Sequence, residues 1–266
     1  MTDRFAQWRA PAHWQAVDCI SDLHLQAGEP ATFEAWRAWL ARPVSERADA
    51  LIILGDLFEV WVGDDALQGD GPDAAFWRLC AQALREHAQT TPTYFMAGNR
   101  DFLFGPSGLQ ACGMQALEDP TVLDLAGHRW LLSHGDELCL DDTDYQRFRT
   151  QVRSPGWQHT FLAQPLAQRE ATARELRRQS EARKQASGND PSLWADVDAS
   201  AARRWLQAAS AATLIHGHTH RPAEHDLGDG LSRVVLSDWD LCAPTPRAEV
   251  LRISAKGLQR RPLKSA

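Results

Sequence analysis

Three histidines at alternating positions, His216, His218 and His220, are the first candidates for chemistry in this chain. They follow the apolar run 212–215, which predicts a buried strand, and Pro222 marks the loop behind them. Side chains two residues apart in an extended segment lie on the same side, so His218 and His220 can reach one point. Neutral imidazole is the commonest protein ligand for transition metals. The segment is therefore a candidate metal-binding loop, and a solvated histidine-rich turn is the alternative.

Five further side chains with metal-ligating groups stand directly after other predicted strands. They are Asp22 and His24 after 17–21, Asp56 after 50–54, Asn99 after 93–97, and His134 after 129–132. Open α/β sheets bind their ligands at the carboxyl ends of the strands. We therefore expect these side chains to converge with His218 and His220.

The seven candidate ligands comprise two carboxylates, one amide oxygen and four imidazoles. One tetrahedral zinc takes four ligands, so seven suit two ions that share a carboxylate. Histidine and carboxylate without thiolate favour manganese, iron or zinc over magnesium or calcium. Two ions about 3.5–4 Å apart can bind a phosphoryl group and activate a water molecule. The pattern predicts a dinuclear centre for phosphoryl chemistry.

Composition limits the partners and the compartment. The chain has 266 residues and a net charge of −7, which gives no overall basic charge for binding nucleic acid. Its five cysteines are widely spaced without a Cys-x-x-Cys pair, which predicts buried free thiols in a reducing compartment. Charged residues near the start predict no signal peptide, and no apolar run is long enough to span a membrane. We expect a cytoplasmic protein.

Strands that alternate with helices predict an α/β fold. The continuous apolar run 50–54 is typical of a strand that is buried on both faces. Helices are predicted from Thr32 and over 73–88, where His87 is expected to be a helix-end histidine and not a ligand. Residues 1–15 have no clear assignment, and 223–261 alternate weakly, as antiparallel strands at the end of a sheet do.

Residues 143–186 interrupt this alternation with predicted helices over 144–153, 157–162 and about 166–185. The stretch is rich in arginine, although the whole chain is acidic. Its apolar residues either line a groove for acyl chains, with the arginines facing anionic groups, or pack a helical hairpin onto the body. The spacing favours neither. These apolar residues are Trp157, Phe161, Leu162, Leu166 and Leu176.

One more helix is predicted between this stretch and the histidine strand. Asp190 would be its N-cap and Pro191 its first helical residue. Its apolar residues are Leu193, Trp194, Val197, Trp205 and Leu206.

Short motifs at the strand ends resemble the signature of the calcineurin-like metallophosphoesterases between about residues 17 and 240. They are Asp22-x-His24, Gly55-Asp56, Gly98-Asn99-Arg100-Asp101, His134-Gly135-Asp136 and Gly217-His218-Thr219-His220. The resemblance implies a two-sheet α/β sandwich with two metal ions. One ion would be held by Asp22, His24, Asp56 and His220. The other would be held by Asp56, Asn99, His134 and His218, with Asp56 as the bridge.

Two neighbours of these ligands receive other roles. His216 lies outside the motif and is expected to be structural. Asp136 is expected to orient His134.

Longer stretches within the motifs resemble the UDP-2,3-diacylglucosamine hydrolase family of Gram-negative lipid A synthesis. They are 55–65, 98–103, 134–139 with Asp141 and Asp142, and 215–222. Members cleave the diphosphate of a lipidated UDP-sugar to UMP and 2,3-diacylglucosamine 1-phosphate, which is lipid X. The resemblance implies two Mn²⁺ ions and a peripheral location on the cytoplasmic face of the inner membrane. It further implies a core of 1–142 and 188–266, with 143–187 as a lid that meets the substrate and the membrane surface.

The residue after the motif asparagine bears on the substrate. Most relatives carry a histidine there, commonly assigned as proton donor to the leaving group, whereas this chain has Arg100, which keeps its proton. A phosphate leaving group needs that proton less than an alcohol does, because the second pKa of a phosphate monoester is about 6. Arg100 can instead bind phosphate oxygens. We therefore assign Asn99 and Arg100 as catalytic and substrate-binding residues, with a structural salt bridge as the alternative role for Arg100.

Further substrate contacts follow from the same resemblance. Asp142, Tyr145 and Ser180 match family positions. The asparagine and lysine that usually follow the serine are not found at their positions, so Lys184 is expected to substitute.

Two other functions fit the same ligands. One is a soluble phosphodiesterase or phosphatase that acts on nucleotides or phosphoproteins. The other is an inactive metal scaffold that binds partners, against which the complete ligand set argues.

Overall fold

Two six-stranded sheets form the centre of the protein in the computed structural model, which describes residues 5–186 and 195–263. One sheet has the order β1-β6-β7-β8-β10-β9, and the other has the order β12-β11-β2-β3-β4-β5. The strands are β1 (Ala6–Arg9), β2 (Ala16–Ile20), β3 (Ala50–Leu54), β4 (Thr93–Met96), β5 (Gln115–Ala116), β6 (Thr121–Leu125), β7 (His128–Leu132), β8 (Thr213–His216), β9 (Ala223–Gly228), β10 (Leu231–Val235), β11 (Glu249–Ser254) and β12 (Gly257–Pro262).

The described residues also form helices, some of which pack on the outer faces of the two sheets. They are α1 (Pro30–Leu40), α2 (Pro72–Ala88), α3 (Pro106–Cys112), α4 (Thr143–Val152), α5 (Pro155–Leu162), α6 (Leu166–Ala186) and α7 (Ala199–Ala209). Trp36 of α1 and Leu84 of α2 pack on the sheet that contains β3, and Leu206 of α7 packs on the other sheet. Ile52 and Ile215 lie in the core between the sheets. The α/β fold with two packed sheets is confirmed.

Strand β3 shows why its sequence is continuously apolar. Ile52 and Leu54 point into the core between the sheets, and Leu51 and Ile53 point into the core beneath α1 and α2. All five residues of the strand are buried. Both faces therefore require apolar side chains, and the strand ends at Leu54, two residues before Asp56.

Parallel strands of both sheets end at one edge of the sandwich. β2, β3 and β4 run parallel in one sheet, and β7 and β8 run parallel in the other. Their loops are joined by hydrogen bonds from Asp22 N to Gly55 O (3.1 Å) and from Gly217 N to His134 O (3.0 Å). The two sheets are linked where His218 N donates to Asp22 Oδ1 at 3.0 Å. The fold thus brings the predicted strand ends together.

The insert between β7 and β8 consists of α4, α5 and α6, as predicted. Side chains of Asp142 and Ser154 cap α4 and α5. Phe161 is buried, and Trp157 and Leu166 pack against the core on the helix side of β3. The division into a core and a lid remains a prediction. None of the described helices combines the length and apolar character that a membrane span requires.

Three sequence predictions need correction or extension. The helix predicted from Asp190 through Leu206 is not continuous, because residues 195–198 are not helical and the Asp198 side chain caps a helix that begins at Ala199 by accepting a hydrogen bond from Ala201 N. Asp190, Pro191, Leu193 and Trp194 lie outside the described residues. Residues 6–9, which had no assignment, form an edge strand that pairs in parallel with β6.

Four cysteines are buried free thiols, but Cys242 is exposed because it lies in the loop before β11.

His87 lies at the end of α2, as predicted, and its burial predicts that the fold is sensitive to acid. Its Nδ1 donates to Leu40 O at 3.1 Å, and its buried Nε2 has no hydrogen-bond partner among the described residues. Burial lowers the pKa of His87 from 6.5 to about 4, since a second proton would place an unpartnered charge in the core. Between these pH values the unfolded chain binds more protons than the folded chain. Stability is therefore retained above pH 6.5 and falls as the pH drops toward 4.

A His87→Gln variant is expected to lose this part of the acid sensitivity. The free energy of unfolding of the wild type should fall by about 2–3 kcal/mol more than that of the variant between pH 6.5 and 4. Urea unfolding at several pH values measures the difference, with exposed His128→Gln as the matched control. Parallel curves for His87→Gln and the wild type would contradict the assignment.

Candidate metal centre

Five of the seven predicted ligands have left-handed backbone conformations. The φ angles are 54° at Asp22, 48° at His24, 53° at Asp56, 67° at His218 and 52° at His220. Such strained residues cluster at functional sites, where neighbouring structure holds them. The expectation that His218 and His220 lie in an extended segment is wrong, because β8 ends at His216 and the chain then turns. The two imidazoles consequently reach opposite parts of the site.

The first group of candidate ligands consists of Asp22, His24 and His220. Their ligating atoms lie within 4.8 Å of one another. His220 Nε2 is 3.1 Å from His24 Nε2 and 3.4 Å from Asp22 Oδ1. These three residues match three of the four ligands predicted for one ion.

The second group lies around His134. Asp22, Asp56 and His134 also place ligating atoms within 4.8 Å of one another. Asn99 Oδ1 lies between two imidazoles, 3.0 Å from His134 Nε2 and 2.8 Å from His218 Nδ1. The structure thus brings Asn99 and His218 together with His134, as the sequence predicted.

Asp56 faces both groups with different oxygens. Its Oδ2 is 3.8 Å from His24 Nε2, and its Oδ1 is 3.6 Å from His134 Nε2. Asp22 also belongs to both groups. Two carboxylates are therefore placed where a bridge between two ions would lie, and the bridging role of Asp56 remains a prediction.

These donors fit divalent metal ions. Ligand atoms at about 2.1 Å from one ion lie about 3.0–3.4 Å apart in octahedral or tetrahedral geometry. The contacts of His220 with His24 and Asp22, at 3.1 and 3.4 Å, have this spacing. Imidazole and carboxylate donors without thiolate suit manganese, iron or zinc.

Two histidines have a polar atom close to Nδ1, through a hydrogen bond at His134 and an ion-pair contact at His24. His134 Nδ1 donates to Leu54 O at 2.9 Å, and His24 Nδ1 faces Glu59 Oε2 at 2.8 Å. Each ring therefore presents Nε2 to the site. The predicted orientation of His134 by Asp136 is wrong, because the carbonyl at the end of β3 occupies Nδ1.

Asp136 has different partners and acts on His134 only through charge. Its Oδ2 accepts from the Tyr145 hydroxyl at 2.6 Å and from Arg149 Nε at 2.9 Å. Burial disfavours the charged His134, but Asp56 and Asp136 outweigh it and raise the pKa of His134 to about 9. The surroundings of this imidazole thus favour positive charge.

Sequence reasoning assigned no role to Asp101, although it is part of the Gly98–Asp101 motif. Its fully buried carboxylate accepts from Leu57 N at 2.7 Å and from Gly98 N at 2.8 Å. It therefore joins the loops that follow β3 and β4. Gly98 allows the two loops to lie this close together, because a Cβ at this position would overlap the Asp56 carboxylate.

Arg100 lies beside the ligands and is partly open to solvent. Its backbone N donates to Asp56 Oδ1 at 2.9 Å, and its guanidinium is 3.4 Å from Glu59 Oε1. A quarter of the side chain is exposed. The residue therefore forms an ion pair and still offers N–H groups to a bound anion.

The other predicted substrate residues lie near the insert. Asp142 accepts from Tyr145 N at 3.0 Å, and the Tyr145 ring stacks on His218 with centroids 5.8 Å apart. The side chains of Ser180 and Lys184 lie outside the described part of the structure. These substrate contacts remain predictions.

Among the described residues, His216 belongs to neither group of candidate ligands. It is fully buried, and its Nδ1 donates to Gly217 O at 2.9 Å. This contact agrees with the structural role predicted for it.

The comparisons with known proteins agree with this geometry. The family profile described as calcineurin-like phosphoesterase matches residues 16–222. A UDP-2,3-diacylglucosamine hydrolase of Chromobacterium violaceum is 48% identical over 232 residues, which cover 84% of this chain and 90% of that protein. One from Xanthomonas oryzae pv. oryzae is 45% identical over 247 residues, which cover 90% and 95%. The chain therefore belongs to the calcineurin-like phosphoesterases and, among them, to the UDP-2,3-diacylglucosamine hydrolase family.

Proposed function

We propose that the protein hydrolyses the diphosphate of UDP-2,3-diacylglucosamine to UMP and 2,3-diacylglucosamine 1-phosphate, a step of lipid A synthesis. The observation that carries the proposal is the pair of ligand groups joined by Asp22 and Asp56, with the Arg100 guanidinium beside them. The names of the relatives support the choice of substrate.

Two ions are proposed to be held as the motifs imply, one by Asp22, His24, Asp56 and His220, and the other by Asp56, Asn99, His134 and His218. When bound, such ions supply charge stabilisation for phosphoryl oxygens and lower the pKa of a water molecule. Manganese is the ion that we propose for both positions, since imidazole and carboxylate donors accept it.

In the proposed reaction, a water oxygen bonds to the phosphorus nearer uridine, and the bond from this phosphorus to the bridging oxygen breaks. The acylated sugar leaves as its 1-phosphate and takes the bridging oxygen. Arg100 binds oxygens of the diphosphate and stabilises the charge that develops on the leaving phosphate. Asn99 positions the attacked phosphate through its amide. Arg100 keeps its proton throughout, which a phosphate leaving group tolerates.

The insert is proposed to act as a lid that contacts the acyl chains and the membrane surface. Because Trp157, Phe161 and Leu166 pack inward, the contact falls to Leu162 and Leu176, which are 41% and 36% exposed. Exposed arginines on α6, such as Arg174, would face anionic headgroups. Asp142, Tyr145, Ser180 and Lys184 are proposed to contact the sugar and its phosphate. The protein would thus work at the cytoplasmic face of the inner membrane.

The test is release of UMP from UDP-2,3-diacylglucosamine with and without manganese, with UDP-N-acetylglucosamine as the unacylated control. We expect manganese-dependent turnover of the acylated substrate at a rate at least about a hundredfold above the control. Equal turnover of both substrates would favour the soluble phosphodiesterase. Absence of turnover with every diphosphate would favour the inactive scaffold.

A further inference from the structure

Glu59 lies at the junction of the metal centre and the insert, and neither the motifs nor the ligand groups gave it a role. It follows Asp56 by three residues, and its backbone N donates to Leu25 O at 3.3 Å, next to the loop that carries His24. Its side chain is 10% exposed. A buried carboxylate requires charged or hydrogen-bonding partners, and Glu59 has them on both oxygens.

The two carboxylate oxygens have different partners. Oε2 is 2.8 Å from Nδ1 of His24, which leaves the Nε2 of this ring facing Asp56 and His220. Oε1 is 3.4 Å from a guanidinium nitrogen of Arg100 and 3.4 Å from one of Arg177. One carboxylate therefore contacts a metal-ligand candidate, a phosphate-binding candidate and a residue of α6.

The start of α6 is fixed to the loop that follows Glu59. The Arg169 side chain is almost fully buried, and it bonds Val62 O and the Asp65 carboxylate. Ala173 packs against the core one turn later, and Arg177 follows at the same spacing. Residues at i, i+4 and i+8 share one face of a helix. Arg177 is thus directed toward Glu59 by the docking of α6.

We propose that Glu59 is a positioning residue that couples the insert to the metal centre. It orients His24 through one oxygen and holds the Arg100 and Arg177 guanidiniums side by side through the other. The Arg100 and Arg177 side chains are 25% and 38% exposed, so an anion can reach both guanidiniums. Under the proposed function, on which this part rests, the two guanidiniums bind the second phosphate of the diphosphate.

The test uses Glu59→Gln, Arg177→Gln and the double variant in the full chain. Arg178→Gln is the matched control, because Arg178 is the next residue of α6, is 71% exposed and pairs with Glu175 of its own helix. Calorimetric titration with manganese alone should show about tenfold weaker binding for Glu59→Gln and unchanged binding for both single arginine variants. Amide hydrogen exchange of α6 should accelerate in Glu59→Gln and Arg177→Gln but not in Arg178→Gln.

Kinetics supply the third measurement. Arg177→Gln should raise KM for the acylated substrate about tenfold with kcat nearly unchanged, and the rise should be smaller in the Glu59→Gln background. The proposal would be overturned if Glu59→Gln bound manganese with wild-type affinity. It would also be overturned if Arg177→Gln raised KM by the same factor in the wild type and in the Glu59→Gln background. If the wild type released no UMP, the proposed function would fail, while titration and exchange would still decide the role of Glu59.

Discussion

An Asp56→Asn variant is expected to lose at least about a thousandfold in turnover, which corresponds to about 4 kcal/mol of transition-state stabilisation. Asp56 directs one oxygen at each ligand group, so its charge serves both ion positions. Asparagine tolerates the left-handed backbone at this position and can still accept the hydrogen bond from Arg100 N. The variant should therefore fold and lose only the charge.

Three measurements check this result: kcat for UMP release, bound manganese and the thermal unfolding temperature. We expect loss of the first two and an unfolding temperature within a few degrees of the wild type. Asp144→Asn is the control, because Asp144 is exposed at the start of α4 and pairs only with Arg147 among the contacts described for it. Full activity in Asp56→Asn would remove the basis of the proposed mechanism.

An Arg100→Gln variant is expected to lose about 10²–10³ in kcat/KM for the acylated substrate and to retain manganese affinity. The guanidinium lies beside the ligand loops and is 25% exposed, and glutamine cannot replace its charge. Arg100→Lys should recover only part of the loss, since an ammonium does not bind phosphate bidentately. Glu59 would keep His24 and Arg177 as partners, so the fold should persist.

Steady-state kinetics together with manganese titration separate the two roles considered for Arg100. Arg147→Gln is the control, because this arginine is exposed on α4. If Arg100→Gln turned over the substrate at the wild-type rate, Arg100 would be a structural ion-pair partner of Glu59 and the preference for a diphosphate would lose its physical reason.

Much of the candidate site could be predicted because strand ends are visible in sequence. The apolar run that ends at Leu54 marks a buried strand, and the residue types that follow it and follow β2, β4, β7 and β8 indicate the candidate ligands. Parallel strands then require these ends to meet at one edge of the sandwich. Helices α4 to α6 were equally visible through their breaks at Pro155 and Pro165.

The supporting residues could not be predicted, because their partners are distant in sequence. Glu59 meets Arg177 of the insert, and Asp101 meets backbone N–H groups of two separate loops. His134 is oriented by a main-chain carbonyl, which carries no residue-specific signal. The left-handed turns at Asp22 and His218 depend on contacts between loops of two sheets, which local patterns do not encode.

The left-handed ligands have a consequence for the thermodynamics of ion binding. Fixing the backbone of one residue costs about 1–2 kcal/mol in conformational entropy. The loops that carry the left-handed candidate ligands are cross-linked by hydrogen bonds, so their backbone is already ordered when the sandwich folds. These candidate ligands are Asp22, His24, Asp56, His218 and His220. The site is therefore preorganised, and binding of an ion does not have to offset the entropy of ordering the backbone. Exchange of one divalent ion for another of similar radius should alter the rate of chemistry and leave the shape of the protein unchanged.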